Sequence, residues 1–126
     1  MNKRNIIVYV AGPYRGNISH NIDIARVHAK EIWKAGYTAI CPHTNTAYFD
    51  NIIEDDEFLI GDIEILKRCD CIYLLPDYWK SSGTKEEIKI ALQNLTPIFL
   101  FSQNWDKDIY NHFKRKENEN KNPDSR

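Results

Sequence analysis

Cysteine is scarce in this chain and poorly placed for chemistry: Cys41, Cys69 and Cys71 are the three present, an odd total with no Cys-x-x-Cys pair. That pattern argues against a disulfide framework. Two of them fall in predicted strands, where cysteine acts as a small buried hydrophobe. Zinc-ligand spacing is missing as well, because His20, His28, His43 and His112 are scattered and none is paired with a cysteine. No excess of one charge exists. Lys and Arg number 17 against 18 Asp and Glu, a net charge of −1, so no global field favours a nucleic acid polymer or an anionic membrane. No apolar run approaches a membrane span, and Met1-Asn2-Lys3-Arg4-Asn5 lacks the apolar stretch of a signal peptide. A cytoplasmic protein without membrane attachment is the expectation. There is no Walker A pattern, and Gly12-x-x-x-Gly16 is not the dinucleotide fingerprint.

What is present reads as ordinary globular sequence: 126 residues, 42% hydrophobic and 28% charged, enough for one domain with a real core. Asn5 to Ala11 is nearly all apolar and β-branched, the mark of a strand buried on both faces. Ile22, Ala25, Ala29, Ile32 and Trp33 recur at helical spacing, with Ser19 or Asn17 to cap and Gly36 to stop that helix. Tyr37 to Cys41 reads as a second strand, and His43 to Ile53 as a loop with a short helical turn. A helix over 54–68, a strand over 71–75, a helix over 84–95, a strand over 97–101 and a helix from Asp106 to about His112 follow. This alternation predicts a small doubly wound, flavodoxin- or Rossmann-like parallel sheet of four to five strands, helices on both faces. The predicted domain covers 1–113. From Lys114 to Arg126 no large apolar residue occurs, and this polar tail is expected to be disordered.

In such a sheet ligands sit at the carboxyl ends of the strands, which here lead into the loops 12–17 and 76–83. Small residues Ser81, Ser82 and Gly83 before a helix offer converging backbone N–H groups, a ready anion site. Arg15, beside the start of the first helix, suits a phosphate or is a plain surface charge. Gly12, Tyr14 and Gly16 share its loop. Glu87 has two readings: the third-position glutamate of a Thr84 capping box, or a half-buried carboxylate kept ionised as a nucleophile. Asp62 shares an apolar helix face with Leu59, Leu66 and Cys69, either as a structural acid or as a second functional carboxylate. Tyr9 is a strand aromatic or a phenol that orients a carboxylate. Asp70 reads as a cap or turn residue, and Asp77 as a weaker loop candidate. His43 and Asn45 border the region after the second strand; Tyr78 and Trp79 suit base stacking, a packing lid or an interface.

Tyr9-Val10-Ala11-Gly12-Pro13-Tyr14-Arg15-Gly16, Gly61-Asp62 with Asp70, and Ser81-Ser82-Gly83-Thr84-Lys85-Glu86-Glu87 with Ala91 together resemble the nucleoside 2-deoxyribosyltransferase superfamily. Within it they are most similar to the 2'-deoxynucleoside 5'-phosphate N-hydrolase branch. The resemblance spans roughly residues 5 to 101. It implies an N-glycosidase acting on a nucleoside monophosphate: Glu87 attacks C1', Tyr9 positions Glu87, and Asp62 assists the leaving base. Arg15, Gly16 and Ser81 would contact the 5'-phosphate. It further implies a homodimer with shared sites, to which Asn111 of the second copy would contribute, a small-molecule substrate, and neither cofactor nor metal. Base exchange between nucleosides, or non-catalytic binding of a nucleotide or nucleotide-derived signal, are the alternative activities. Pro13-Tyr14 and Lys85-Glu86 depart from the family pattern by being bulkier and more charged.

Overall fold

The computed structural model describes residues 1–121. Four strands form one parallel sheet: β1 (Ile7–Ala11), β2 (Thr38–Ile40), β3 (Cys71–Leu74) and β4 (Ile98–Leu100), in the order β2-β1-β3-β4. The helices between and after them are α1 (Ile18–Lys34), α2 (Pro42–Asn45), α3 (Asp55–Leu66), α4 (Ser82–Gln93) and α5 (Trp105–Lys121). The doubly wound α/β class read from the alternation of elements is therefore the class observed.

Strand parity decides what faces what. Successive side chains alternate between the faces of a sheet. Val8 and Val10 join Ala25, Ile32 and Ile109 in the core beneath α1 and α5. Tyr9 and Ala11 join Leu66, Ile72 and Ala91 beneath α3 and α4. Tyr9, fully buried, therefore stands in the same layer as the two helices that carry Asp62 and Glu87. The registers Tyr9↔Ile72 and Ala11↔Leu74 end β1 and β3 at one level. Because the chain leaves β1 for one side of the sheet and returns to pair β3 on the other, a crevice opens between their carboxyl ends. Close approach there demands glycine at position 12: a Cβ on Gly12 would meet the Leu75 Cβ at 2.7 Å.

Helix boundaries follow local chemistry. Asn17 caps α1 by accepting from the His20 N–H, and Gly36, at φ +107°, turns the chain after it. Two boundaries differ from those read in the sequence. The cap of α4 is Ser81, whose Oγ accepts from the Thr84 N–H at 3.1 Å, so the helix starts earlier than Thr84. At the other end, α5 continues to Lys121, and residues 114–121 of the expected disordered tail are helical. Glu117 pairs with Lys114, Lys121 and the N-terminal amine, which ties this stretch of the helix, without large apolar residues, to the body. The remainder of that expected tail, 122–126, lies outside the described residues. No helix among the described residues is long and apolar enough to cross a membrane.

Candidate active site

The crevice at the carboxyl ends of β1 and β3 encloses about 740 Å³, within the range of small-molecule pockets. Its floor is the β1 end with Gly12 and Pro13; α3 and α4 supply facing walls. On the α3 wall, Asp55, Leu59 and Asp62 follow the i, i+4, i+7 spacing of one helix face. The α4 wall contributes Ser82, Gly83, Thr84 and Glu87.

Tyr9 and Glu87 meet at the base of this space: the phenol donates a hydrogen bond to Oε2 of Glu87. Glu87 is 7% exposed. With Ser82 the first helical residue, Glu87 is the sixth, beyond the first turn of α4. It therefore closes no capping box, and the helix dipole, which fades after the first turn, does little to hold it ionised. Burial instead pushes its carboxyl up to about 7; the Tyr9 hydrogen bond opposes this, and the neighbouring Asp62 charge adds to it. The sequence expectation of a dipole-stabilised carboxylate is corrected accordingly. Burial also raises Asp62, to about 6, and raises the Tyr9 hydroxyl well above the tyrosine range, so that phenol remains a donor.

Arg15 lies on the crevice wall, yet its guanidinium is already engaged. It reaches Asp50 at 2.6 Å and Asp55 at 2.5 Å. Tyr14 backs this arrangement by donating to Asp50 at 3.1 Å while its oxygen accepts from the Tyr48 N–H. Ser81 and Gly83 line the crevice beside the N-terminus of α4, whereas Gly16 does not line it. Gly16 is a turn residue at φ +97°. Asn111 is exposed on α5, outside the crevice of its own chain.

The remaining candidates separate cleanly. Asp70 is structural, accepting from the Ile7 N–H at 2.7 Å. Asp77 is on the rim with Lys80 at 3.7 Å. Tyr78 and Trp79 pack edge to face against each other and stay out of the crevice, as does Asn45. His43 lines it and is 6% exposed. Its Nε2–H donates to the Pro13 carbonyl at 2.6 Å, burial lowers its pKa, and Nδ1 is left without a partner. Among the described residues no His, Cys, Asp and Glu grouping could hold a metal ion.

Sequence reasoning missed Asp50, Asp55 and Thr84 as parts of the site. The i, i+7 spacing from Asp55 to Asp62 was a usable signal. For Asp50, in an aperiodic loop, none existed. Thr84 was read as a cap, but its Oγ1 is buried in the crevice wall without a partner.

Comparison with known proteins bears on the fold. Residues 6–101 match a family model described as a domain of unknown function, DUF7768. A search of curated proteins finds no match. Among solved structures, the chain is similar to a 2-deoxyribosyltransferase from Bacillus psychrosaccharolyticus, at TM-score 0.56 and 20% identity, over 76% of this chain and 72% of that one. It is also similar to a 2-deoxyribosyltransferase from Leishmania mexicana, at TM-score 0.50 and 20% identity, over 77% of this chain and 64% of that one. The fold is that of the 2-deoxyribosyltransferases.

Proposed function

The chain belongs to the DUF7768 family, and we propose that it is an enzyme that cleaves the base–sugar bond of a nucleoside or nucleoside 5'-monophosphate, with Glu87 as nucleophile. One observation carries this reading: a buried carboxylate, oriented by a phenol, at the floor of a crevice whose facing wall presents a second carboxylate. As the bond at C1' breaks, oxocarbenium character develops on the sugar, and an adjacent carboxylate stabilises and traps it as a glycosyl ester. Tyr9 holds Oε2, leaving Oε1 of Glu87 to attack. Asp62, with its raised pKa, protonates or hydrogen-bonds the departing base. Water then releases the sugar, or a second base accepts it.

Hydrolysis of a monophosphate is supported by Ser81, Gly83 and the unpaired N–H groups at the start of α4, which suit a 5'-phosphate. A second reading, base exchange on an uncharged nucleoside, is favoured by the engagement of Arg15 with Asp50 and Asp55. A phosphate would have to displace these carboxylates.

Incubation with a panel of nucleosides and their monophosphates, with and without a second free base, tests both. Base release from monophosphates alone supports hydrolysis; exchange on unphosphorylated substrates supports transfer. Replacing Glu87 with Gln is expected to cut turnover by roughly 10³-fold while ligand is retained. A binding protein would lose little of either.

A further inference from the structure

The crevice carries more negative charge than the glycosidic reading needs. Asp55, Asp56 and Asp62 line it from α3, and Glu86 and Glu87 from α4. Asp50 and Asp77 complete the rim. Against these seven carboxylates stand two cations, Arg15 and Lys80, and both are committed, Arg15 to Asp50 and Asp55, Lys80 to Asp77. Among the described residues no uncommitted cation lines the space. Among the described residues the two inner carboxylates have no cationic partner: Glu87 is held by a neutral phenol, and burial alone shifts Asp62. Glu87 is buried and Asp62 half-buried, and carboxylates left so cost free energy until a proton or a bound cation neutralises them. Aromatic rings from Phe49 and Phe58 share the wall with them, while the Tyr14 ring, also on the wall, already carries the Arg15 guanidinium at 5.4 Å. Ring faces beside carboxylates are the surroundings that a flat organic cation prefers. The unpartnered, 1% exposed hydroxyl of Thr84 remains for a polar group of the same ligand.

We propose that the substrate is a nucleoside whose base bears a fixed positive charge, a pyridinium or an N-alkylated purine, an inference that rests on Glu87 being the nucleophile. The electron balance suits it. Glu87 forms its bond to C1' as the C1'–N bond breaks, and that electron pair neutralises the ring nitrogen. The base departs uncharged without taking up a proton. Water then bonds through its oxygen to C1' as the ester bond from C1' to Glu87 breaks, which restores the carboxylate; one water proton goes to solvent, so one proton is released per turnover.

The protonation of the site is compatible with this. The groups facing Glu87 are Tyr9 from β1, Asp62 from α3 and Cys41 after β2. Burial raises both Glu87 and Asp62, and the Asp62 charge raises Glu87 further, so the pair gives up its protons reluctantly. A neutral base needs one proton kept on Asp62 while Glu87 is ionised. A cationic base needs only that both be ionised, the state that dominates above about 7.

Matched probes separate charge from bond lability. Titration calorimetry with 1-methylnicotinamide and with nicotinamide compares a cation and its neutral counterpart, neither with a bond to cleave. The cation is expected to bind about tenfold tighter, with the margin shrinking as salt rises and screening sets in. In parallel, 7-methylguanosine and nicotinamide riboside are compared with guanosine and uncharged deoxynucleosides for base release and proton release. Preference for the cations, with one proton freed per base, supports the proposal, and Asp56→Asn should weaken that preference. Equal binding of the two nicotinamides, or uncharged nucleosides cleaved as well as charged ones, overturns it while leaving the glycosidase reading intact. Tight cation binding with no cleavage of any nucleoside would instead remove the glycosidase reading and retain the charge class.

Discussion

Glu87 is held in two opposed ways: burial favours its neutral form, and the Tyr9 hydroxyl favours the ion. Replacing Tyr9 with Phe removes the donor and leaves the inner carboxylate oxygen unsatisfied. The Glu87 pKa, pushed up to about 7 by burial, then rises further, so the ascending limb of the variant's pH–rate profile is expected at higher pH than that of the wild type. Turnover at neutral pH should fall by roughly 10- to 100-fold. An unmoved limb would show that the phenol does not tune this carboxylate. The same balance makes a stability prediction that needs no substrate. The folded-state pKa is raised from 4.5 to about 7, so the stability tied to the neutral form is complete below 4.5 and is lost as pH rises through 7. The loss at pH 8 is roughly 3 kcal/mol. Glu87→Gln keeps an acceptor for Tyr9 and never ionises. Its melting temperature should exceed that of the wild type by several degrees at pH 8 and match it near pH 4.5. A variant that melts lower at pH 8 would mean the charge is stabilised in the fold.

Among the elements, α4 most rewards a test of how its start is read. Thr84-Lys85-Glu86-Glu87 imitates a capping box, but Ser81, three residues before Thr84, is an equally good cap and is the one used. Ser81→Ala should therefore cost about 1 kcal/mol in urea unfolding. Thr84→Val, which keeps shape and removes a hydroxyl without a partner, should be neutral or stabilising. The reverse ranking would restore Thr84 as the cap. The contrast shows what local sequence conveys. β1 and β3 were legible because an unbroken apolar run permits little else, and the parity of β1 then fixed the layer of Tyr9. The face of α3 carrying Asp62 was legible from its spacing with Leu59 and Leu66. Where two caps compete three residues apart, propensity does not choose between them. The run of α5 past Lys114 was hidden because ion pairs around Glu117, one with the distant N-terminus, sustain it rather than apolar burial. Arg15 was legible as a site residue and illegible in its pairing, since Asp50 is 35 residues away in an aperiodic loop.

On the scale of the whole molecule, the sheet order places the crevice at the carboxyl ends of β1 and β3 and leaves Asn111 of α5 outside the crevice of its own chain. Large apolar side chains also remain uncovered on α3 and at the C-terminal end of α4, with Ile60 63%, Leu92 64% and Leu95 87% exposed. Both features accord with the homodimer implied by the family resemblance, in which Asn111 of one copy would reach the crevice of the other. Subunit complementation tests this without a structure of the assembly. Glu87→Gln and Asn111→Ala are each expected to be nearly inactive alone. In a mixed dimer, one site pairs a native Glu87 with a native Asn111, while the other combines both substitutions. If sites are shared, mixing equal amounts after gentle dissociation should restore about a quarter of wild-type activity, because half the dimers are mixed and each has one intact site. Activity that stays at the level of the separate variants, with mixed dimers demonstrated by differential tagging, would place Asn111 outside the site and leave each crevice complete within its own chain.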